Sequence, residues 1–436
     1  LTASTGLPVE ARLALVGILL TVLWWAMAVI PPAYTSMLML FLFAVTGIGA
    51  AEDLFGFWAG PMAWLMIGAY LIARAVTRVG LAERIAVLLV SRYVHSYRQL
   101  VVMIYILNII LAPLVPLPFP RAFLIMALVR EIIRSSDVGA RGRANLGFCV
   151  FMGSVPASMM FLTSEAILNP VTASLAGGIS WLEWAVLMAV PSLLAAGLML
   201  IAHLIVFDPV PLTIDPHHWR EKHSELGAIS PGELRVLAWV GMALLLWTTD
   251  FLHGIHPGWI ALGTGAGMAL PGIGGILRDS DVSEGIDWSA LLFATAALAI
   301  GSVSEATGLT DWILHFIVPG RVSEHALFIL GYVAAVGFIL HLFIGSVLAT
   351  LSMLAPPLVA MALQFQVPTF APALLIYSTS VMGIALPFHN LMVLVGVGDT
   401  GAFTERETLR FFPAQALITV ITVAGQIGWW ILLGRL

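Results

Sequence analysis

Arg121 stands in LVPLPFPRAFLIMALV (114–129), a guanidinium at a proline-rich turn with apolar flanks: VVMIYILNIILAP before it, FLIMALV after. In such surroundings a positive charge costs several kcal/mol unless it is paired or hydrated, so it is a functional candidate by default. The chemistry open to it is capture of an anion, because its planar fork can meet a carboxylate or sulfate with two parallel N–H bonds. The alternatives are an arginine reaching back to the membrane face or one locked in a permanent salt bridge. Glu165, in TSEAILNP (163–170), is the acid placed to be its partner. Displacement of Glu165 by an incoming anion, or its protonation, would release the arginine and link anion capture to exchange or to a proton.

Uncharged donors accompany this pair. Thr163, Ser164 and Asn169 share the interruption with Glu165, and His389 and Asn390 lie in a second one, LPFHN (386–390). Such groups orient an anion without rivalling its charge. His389 titrates near neutrality, so it offers either a donor or a proton. Ser346 and Thr350 fall in a third polar stretch, GSVLAT (345–350), and His341 just before it reads as a packing histidine. The runs PGIGGI (271–276) and TGIGA (46–50) imitate phosphate-binding glycines but sit at the ends of apolar runs, where glycine lets helices pack or stop. HHWREKH (217–223) reads as a solvated linker rather than a metal site. Ser346 and His389 would make a nucleophile and base with no third group to orient them, so an intramembrane enzyme is the remote alternative and no catalytic residue is assigned.

The chain that must position these groups has 436 residues, 60% hydrophobic and only 10% charged, with a mean hydropathy of +1.01. A soluble domain carries charge on about a quarter of its residues. Runs such as LALVGILLTVLWWAMAVI (13–30) and VLMAVPSLLAAGLMLIAHLIVF (186–207) are long enough to cross a bilayer as helices. This is the composition of an all-α polytopic membrane protein. The net charge of −5 is spread thinly, and a single cysteine, Cys149, excludes disulfides and thiolate clusters. Leu1 has neither an initiator methionine nor a basic segment before the first apolar run, so a leading helix is expected before it.

Hydropathy predicts spans near 11–30, 35–50 and 61–78, then an amphipathic stretch, GLAERIAVLLVSRYVHSY (80–97), suited to the membrane interface. The segment 99–134 is broken by Pro113, Pro116, Pro118 and Pro120 into arms of roughly 15 residues, where a span needs about 20. A re-entrant hairpin fits it better than two crossings. A charged patch, SSDVGARGRAN (135–145), follows, then a broken helix at 145–178 and a span at 181–206. The polar segment 208–234 divides the chain. Beyond it the plan repeats: spans near 235–250, 256–277 and 288–306, an amphipathic stretch (308–318), a hairpin (324–364), a broken helix (368–398) and a last span (412–434). GLAERIA (80–86) and GLTDWIL (308–314) echo each other. The expected domains are thus 1–207, a cytoplasmic linker 208–234, and 235–436. Each half has five crossings, an odd number, which makes the repeats inverted. Arg74, Arg78, Arg84, Arg92, Arg98, Arg130, Arg134, Arg141 and Arg143 flank the first hairpin; Glu305, Asp311, Arg321 and Glu324 flank the second. The positive-inside rule then puts the first hairpin's mouth in the cytoplasm, the second outside, and Leu1 outside.

In this order of elements, and in SMMFLTSEAILNP (158–170), PMAWLMIGAYLIARAVTRVGLAERIA (61–86), LATLSMLAPPLVAMA (348–362), LPFHNLMVLVGVG (386–398) and the late Trp429, Trp430 and Leu432–Gly434 pattern, nearly the whole chain resembles the divalent anion/sodium symporters, carriers of dicarboxylates, citrate or sulfate. The resemblance implies a dimeric elevator transporter of a cell inner membrane. Its hairpins and broken helices (99–178 and 324–398) move against a scaffold that includes the opening spans and 80–97. Substrate then meets Arg121, Thr163, Ser164, Asn169, Ser346, Thr350, His389 and Asn390, with Glu165 and His389 as coupling groups. One departure stands out. Members of the family usually carry Ser-Asn-Thr at each hairpin tip to help hold sodium. Here those places are Leu117, Pro118 and Phe119 in the first hairpin, and Ser346, Val347 and Leu348 in the second. With one side-chain oxygen left of six residues, strict sodium coupling is not expected; exchange or proton coupling is. The alternatives are a sodium symporter using backbone carbonyls, a neutral or cationic cargo drawn by Glu165, or a binding role without flux.

Overall fold

Apolar sequence without water to satisfy its backbone must close its hydrogen bonds within helices or a barrel, and here it forms helices. The computed structural model describes residues 7–27, 29–134, 138–210, 212, 216–317, 325–386, 389–397 and 401–436, with no strand among them. Ser135–Asp137 of the charged patch, Arg321 and Glu324, and Pro387 and Phe388 of the second interruption lie outside the described residues. Five described helices are long and apolar enough to cross a membrane, or six if the bent pair Ala51–Ala59 and Pro61–Arg78 forms one span.

The expected elements are present, with local differences. Val9–Met27, Pro32–Thr46 and Pro61–Arg78 match the first three spans, and Gly80, at φ +75, turns the chain into the helix Leu81–Tyr93. The first hairpin has arms Tyr97–Leu111 and Pro118–Arg134; the broken helix is Ala140–Met159 followed by Leu168–Leu175; Trp181–Val206 closes the half. In the second half, Pro231–Thr248, Pro257–Gly267, Trp288–Ala306 and Leu309–Ile317 precede the hairpin Ala326–Ile344 and Val347–Gln364, the broken helix Phe370–Met382 and Leu391–Val397, and the last helix Glu405–Leu432. The expected span 256–277 ends early, at Gly267. The second hairpin is not short-armed: its arms have 19 and 18 residues, and Pro356 and Pro357 sit inside the second without ending it. Nor is the linker merely solvated. Pro216–Glu225 is a helix that buries Trp219 and packs on Leu81–Tyr93.

Several helix pairs join residues 1–207 to 235–436, among them Pro61–Arg78 with Pro257–Gly267 and with the segment around Asp281. Pro61–Arg78 crosses Pro257–Gly267 so closely that a Cβ on Gly68 would collide with the backbone of Ala261, and one on Gly258 with the carbonyl of Pro61. At the end of the same helix the fully buried carboxylate of Asp281 accepts from Arg74 Nε at 2.9 Å, from Arg278 N–H at 2.7 Å and from both terminal nitrogens of Arg78 at 2.5 Å. Burial alone would raise this carboxyl, but the Arg278 N–H and the two guanidinia outweigh it and hold it at about 2, below its ordinary 3.8. A folded value below the unfolded one adds stability that is full at neutral pH and is lost as pH falls from about 4 to about 2. Asp281→Asn should therefore destabilise the protein by about 3 kcal/mol, since it strips the charge from a buried pair. Thermal unfolding in detergent would read this as a lowered midpoint at neutral pH, with the gap to wild type closing under acid.

Candidate functional site

Pro116, Pro118 and Pro120 bring no N–H to the first hairpin tip, where they are buried or half-buried and an unpaired donor would be costly. The tip is pinned to the interruption of the broken helix by the Ala166 N–H, which donates to Pro116 O at 3.1 Å. Arg121, one turn into the outgoing arm, is completely buried. It does not reach the membrane face. Nη1 donates to Val115 O (3.1 Å) and Ser164 O (3.3 Å); Nη2 donates to Ser158 Oγ (2.8 Å), Ser154 Oγ (3.1 Å) and Ser154 O (3.4 Å). Three carbonyls and two hydroxyls from the tip, the helix Ala140–Met159 and the turn Leu162–Ser164 thus enclose one cation. Nε alone has no partner.

This corrects two expectations. Arg121 does not hold out two parallel N–H bonds, because both terminal nitrogens are already committed to protein oxygens. Nor does it form an ion pair with Glu165, which is itself buried and accepts instead from the backbone N–H of Ile167 (3.2 Å) and of Leu168. The turn Leu162–Ser164 is the cause. It aims the carbonyl of Ser164 at the guanidinium and leaves Glu165 to cap the orphan donors of Leu168–Leu175.

The other polar residues of this interruption face protein. Thr163 Oγ1 accepts from Trp181 Nε1 at 3.1 Å, and Ser164 Oγ accepts from Phe161 N–H at 3.2 Å. Asn169 is a splint: its Nδ2 donates to Ser158 O and Phe161 O, both at 2.8 Å, and its Oδ1 accepts from Tyr377 Oη at 2.5 Å. That last bond ties the first broken helix to the second.

In the second hairpin Gly345, at φ +72, makes the turn, and Ser346 caps the outgoing arm, its Oγ accepting from Ala349 N–H at 3.3 Å. Thr350 Oγ1 lies 2.8 Å from Ser346 O and 3.2 Å from His341 Nδ1; His341 Nε2 lies 3.0 Å from His389 O. His389 Nδ1 accepts from Ala385 and Leu386 N–H, both at 3.1 Å, while Nε2 faces Leu342 O at 3.1 Å. Asn390 spans the second break as Asn169 spans the first, donating to Val381 O (3.2 Å) and accepting from Met392 N–H (2.9 Å). Gln415 and Thr419 of the last helix reach Met382 O, exposed by the same break. Leu117, Pro118, Phe119, Val347 and Leu348 present only apolar side chains, packed wholly or partly into the core. Ser346 is the one oxygen-bearing side chain among those six places.

Sequence alone does not single out Ser154 and Ser158, one helical turn apart and so on one face toward the hairpin, nor Tyr377. It also reads His341 as packing. A spacing of four between serines, after a proline-broken tip, is the available signal for the first pair.

A family model described as "Sodium:sulfate symporter transmembrane region" matches residues 1–436. "Dicarboxylate transporter 1, chloroplastic" of Arabidopsis thaliana is 24% identical over 427 residues, 90% of this chain and 74% of its own length. The "L-tartrate/succinate antiporter" of Shigella boydii serotype 4 is 24% identical over 346 residues, 75% of this chain and 70% of its own length. The crystal structure of the Alcanivorax borkumensis YdaH transporter superposes with a TM-score of 0.57 at 16% identity, covering 90% of this chain and 89% of that one. The likeness to that structure is one of fold: helical and polytopic.

Proposed function

The chain belongs to the sodium:sulfate symporter transmembrane family, and from that premise we propose that it is a secondary active transporter of small divalent anions, di- or tricarboxylates before sulfate. The observation that carries the reading is Arg121: a guanidinium fully buried, bonded to five neutral oxygens and to no carboxylate. A cation so placed is incompletely neutralised and draws an anion. The relatives named for dicarboxylate and for tartrate/succinate transport favour carboxylates as that anion.

The shell around Arg121 is what a small cation would need, yet the protein's own charge fills it. That supports exchange or proton coupling over strict sodium coupling. Glu165 holds the N-terminus of Leu168–Leu175, a place that favours any anion. A substrate carboxylate arriving there displaces Glu165 and gains the field of Arg121. Thr163, Ser164, Asn169, Ser346, Thr350, His389 and Asn390 hold the breaks and tips in shape around it. The order of elements after Pro61 recurs after Trp288, which favours two inverted repeats over 1–207 and 235–436 joined by a cytoplasmic linker. It also favours an elevator in which 99–178 and 324–398 move as a unit within a dimer in a cell inner membrane, first hairpin mouth inward.

Purified protein in proteoliposomes tests this. Labelled succinate should exchange against internal succinate, tartrate or citrate, and replacing sodium by potassium should leave the rate unchanged. Uptake that vanishes without sodium would refute the coupling. No flux of any dicarboxylate or of sulfate would refute the function.

A further inference from the structure

The second hairpin holds a histidine, His341, that the reading above does not use. His341 is fully buried, on the incoming arm, with an oxygen at each ring nitrogen: Thr350 Oγ1 at Nδ1 and His389 O at Nε2. A carbonyl only accepts, so Nε2 carries hydrogen. Nδ1 faces a hydroxyl with two uses. Thr350 can give its hydrogen to Nδ1, which leaves the ring neutral, or to Ser346 O at 2.8 Å, which leaves its lone pairs to accept from a protonated Nδ1. In the second arrangement His341 is an imidazolium and each hydrogen in the chain Nε2–H, Nδ1–H and Oγ1–H has an acceptor. One proton is added at Nδ1 and one hydroxyl hydrogen rotates; no heavy atom has to move.

His389 is built the other way. Its Nδ1 faces two backbone N–H groups, which only donate, so that nitrogen is bare and Nε2–H goes to Leu342 O. Protonating it would set three donors against each other. The ring available for a proton in this pair is therefore His341, and Gly383 leaves room for it, since a Cβ there would stand 3.0 Å from His341 Cδ2.

The ionisable groups on the elements around His341 are few. Its own helix carries Tyr332, the packed helix Phe370–Met382 carries Tyr377, which donates to Asn169, and the unwound segment carries His389, whose ring centroid lies 5.9 Å away. The outgoing arm Val347–Gln364 has none, and none of these elements offers an acid. Among the described residues of these elements, a charge gained at His341 meets no carboxylate.

We propose that His341 is the proton-binding group of the transport cycle, a titratable cation in the second hairpin that complements the fixed cation Arg121 in the first. The inference rests on the anion-transport reading. Imidazolium without an internal acid favours bound dianion, and by linkage the dianion favours the proton equally. Proton and substrate therefore cross together, and Thr350 reports the state of the ring to the turn at Ser346.

The test uses the full chain in proteoliposomes loaded with a fluorescent pH indicator, with succinate as probe. Wild type should acidify the lumen in step with succinate entry, several-fold faster with acid outside. His341→Gln should carry succinate more slowly, at a rate flat with pH, and without acidification. Thr350→Val keeps the side-chain shape but removes an acceptor from the imidazolium, so its pH midpoint should move toward acid. Acidification by His341→Gln at the wild-type ratio to succinate would overturn the inference. So would succinate flux by wild type with no acidification, a result that leaves anion transport standing. If His341→Gln does not fold, a Thr350→Val profile that overlays wild type overturns the inference by itself. Wild type that moves no dicarboxylate or sulfate under any gradient removes the transport reading and this one with it.

Discussion

Arg121→Gln should abolish succinate flux, with a loss of roughly a hundredfold or more. Glutamine fills part of the space and can meet one or two of the five oxygens, but it carries no charge. Removing one side of a buried charged site costs about 3 kcal/mol or more, and about 1.4 kcal/mol is a factor of ten. Arg121→Lys keeps the charge on one nitrogen, which cannot reach Val115 O, Ser164 O and both serine hydroxyls together, so it should retain a measurable fraction. Arg121→Ala is the sharper variant, because it leaves the oxygen shell empty. If the guanidinium stands where an alkali ion could stand, high sodium should restore part of the Arg121→Ala flux and do nothing for wild type. Initial rates in proteoliposomes at several sodium concentrations decide this. Near-wild-type flux by Arg121→Gln would mean that the charge has no part in holding the cargo.

The second large effect belongs to Asn169. Asn169→Ala leaves Ser158 O, Phe161 O and the hydroxyl of Tyr377 without a partner that each now has, all in a buried setting. Phe161 O keeps the N–H of Ser164 at 2.9 Å, so Ser158 O and the Tyr377 hydroxyl are the stranded groups; at about 1–3 kcal/mol each the sum is about 2 kcal/mol or more. The expected result is a melting midpoint lowered by more than Tyr377→Phe lowers it, since the latter removes one bond at about 1 kcal/mol. The double variant should be little worse than Asn169→Ala by itself, because the Tyr377 bond is already gone. Additive losses would show that the two side chains act independently.

The all-helical membrane class was legible in the sequence, and so were the turns after Leu111 and Ile344 and the interruptions after Met159 and Met382, because a proline or a polar cluster inside an apolar run marks where a membrane helix must turn or unwind. Element ends were less so. Val347–Gln364 runs through Pro356 and Pro357, and Pro216–Glu225 shows no apolar period because Trp219 is the one buried anchor among its described side chains. The candidate residues were legible by type and spacing, but not the bonds they make. Arg121 announced itself by charge. Its partners did not, because carbonyls have no signature in sequence and Ser154 and Ser158 look ordinary in a membrane helix. Glu165 was assigned to the wrong neighbour because one turn, Leu162–Ser164, decides which way it points. His341 looked like packing because its meaning lies in Thr350 and His389 O, 9 and 48 residues further on.

The glycine crossing of Pro61–Arg78 over Pro257–Gly267 has a practical consequence for measuring motion. With backbone against backbone at Gly68 and Gly258, no rotamer change can take up a sliding displacement. The crossing is a fixed origin within the chain. Spin labels attached near it should keep constant separations through the whole cycle, and a distance from there to either loop tip would record travel rather than rearrangement of the reference.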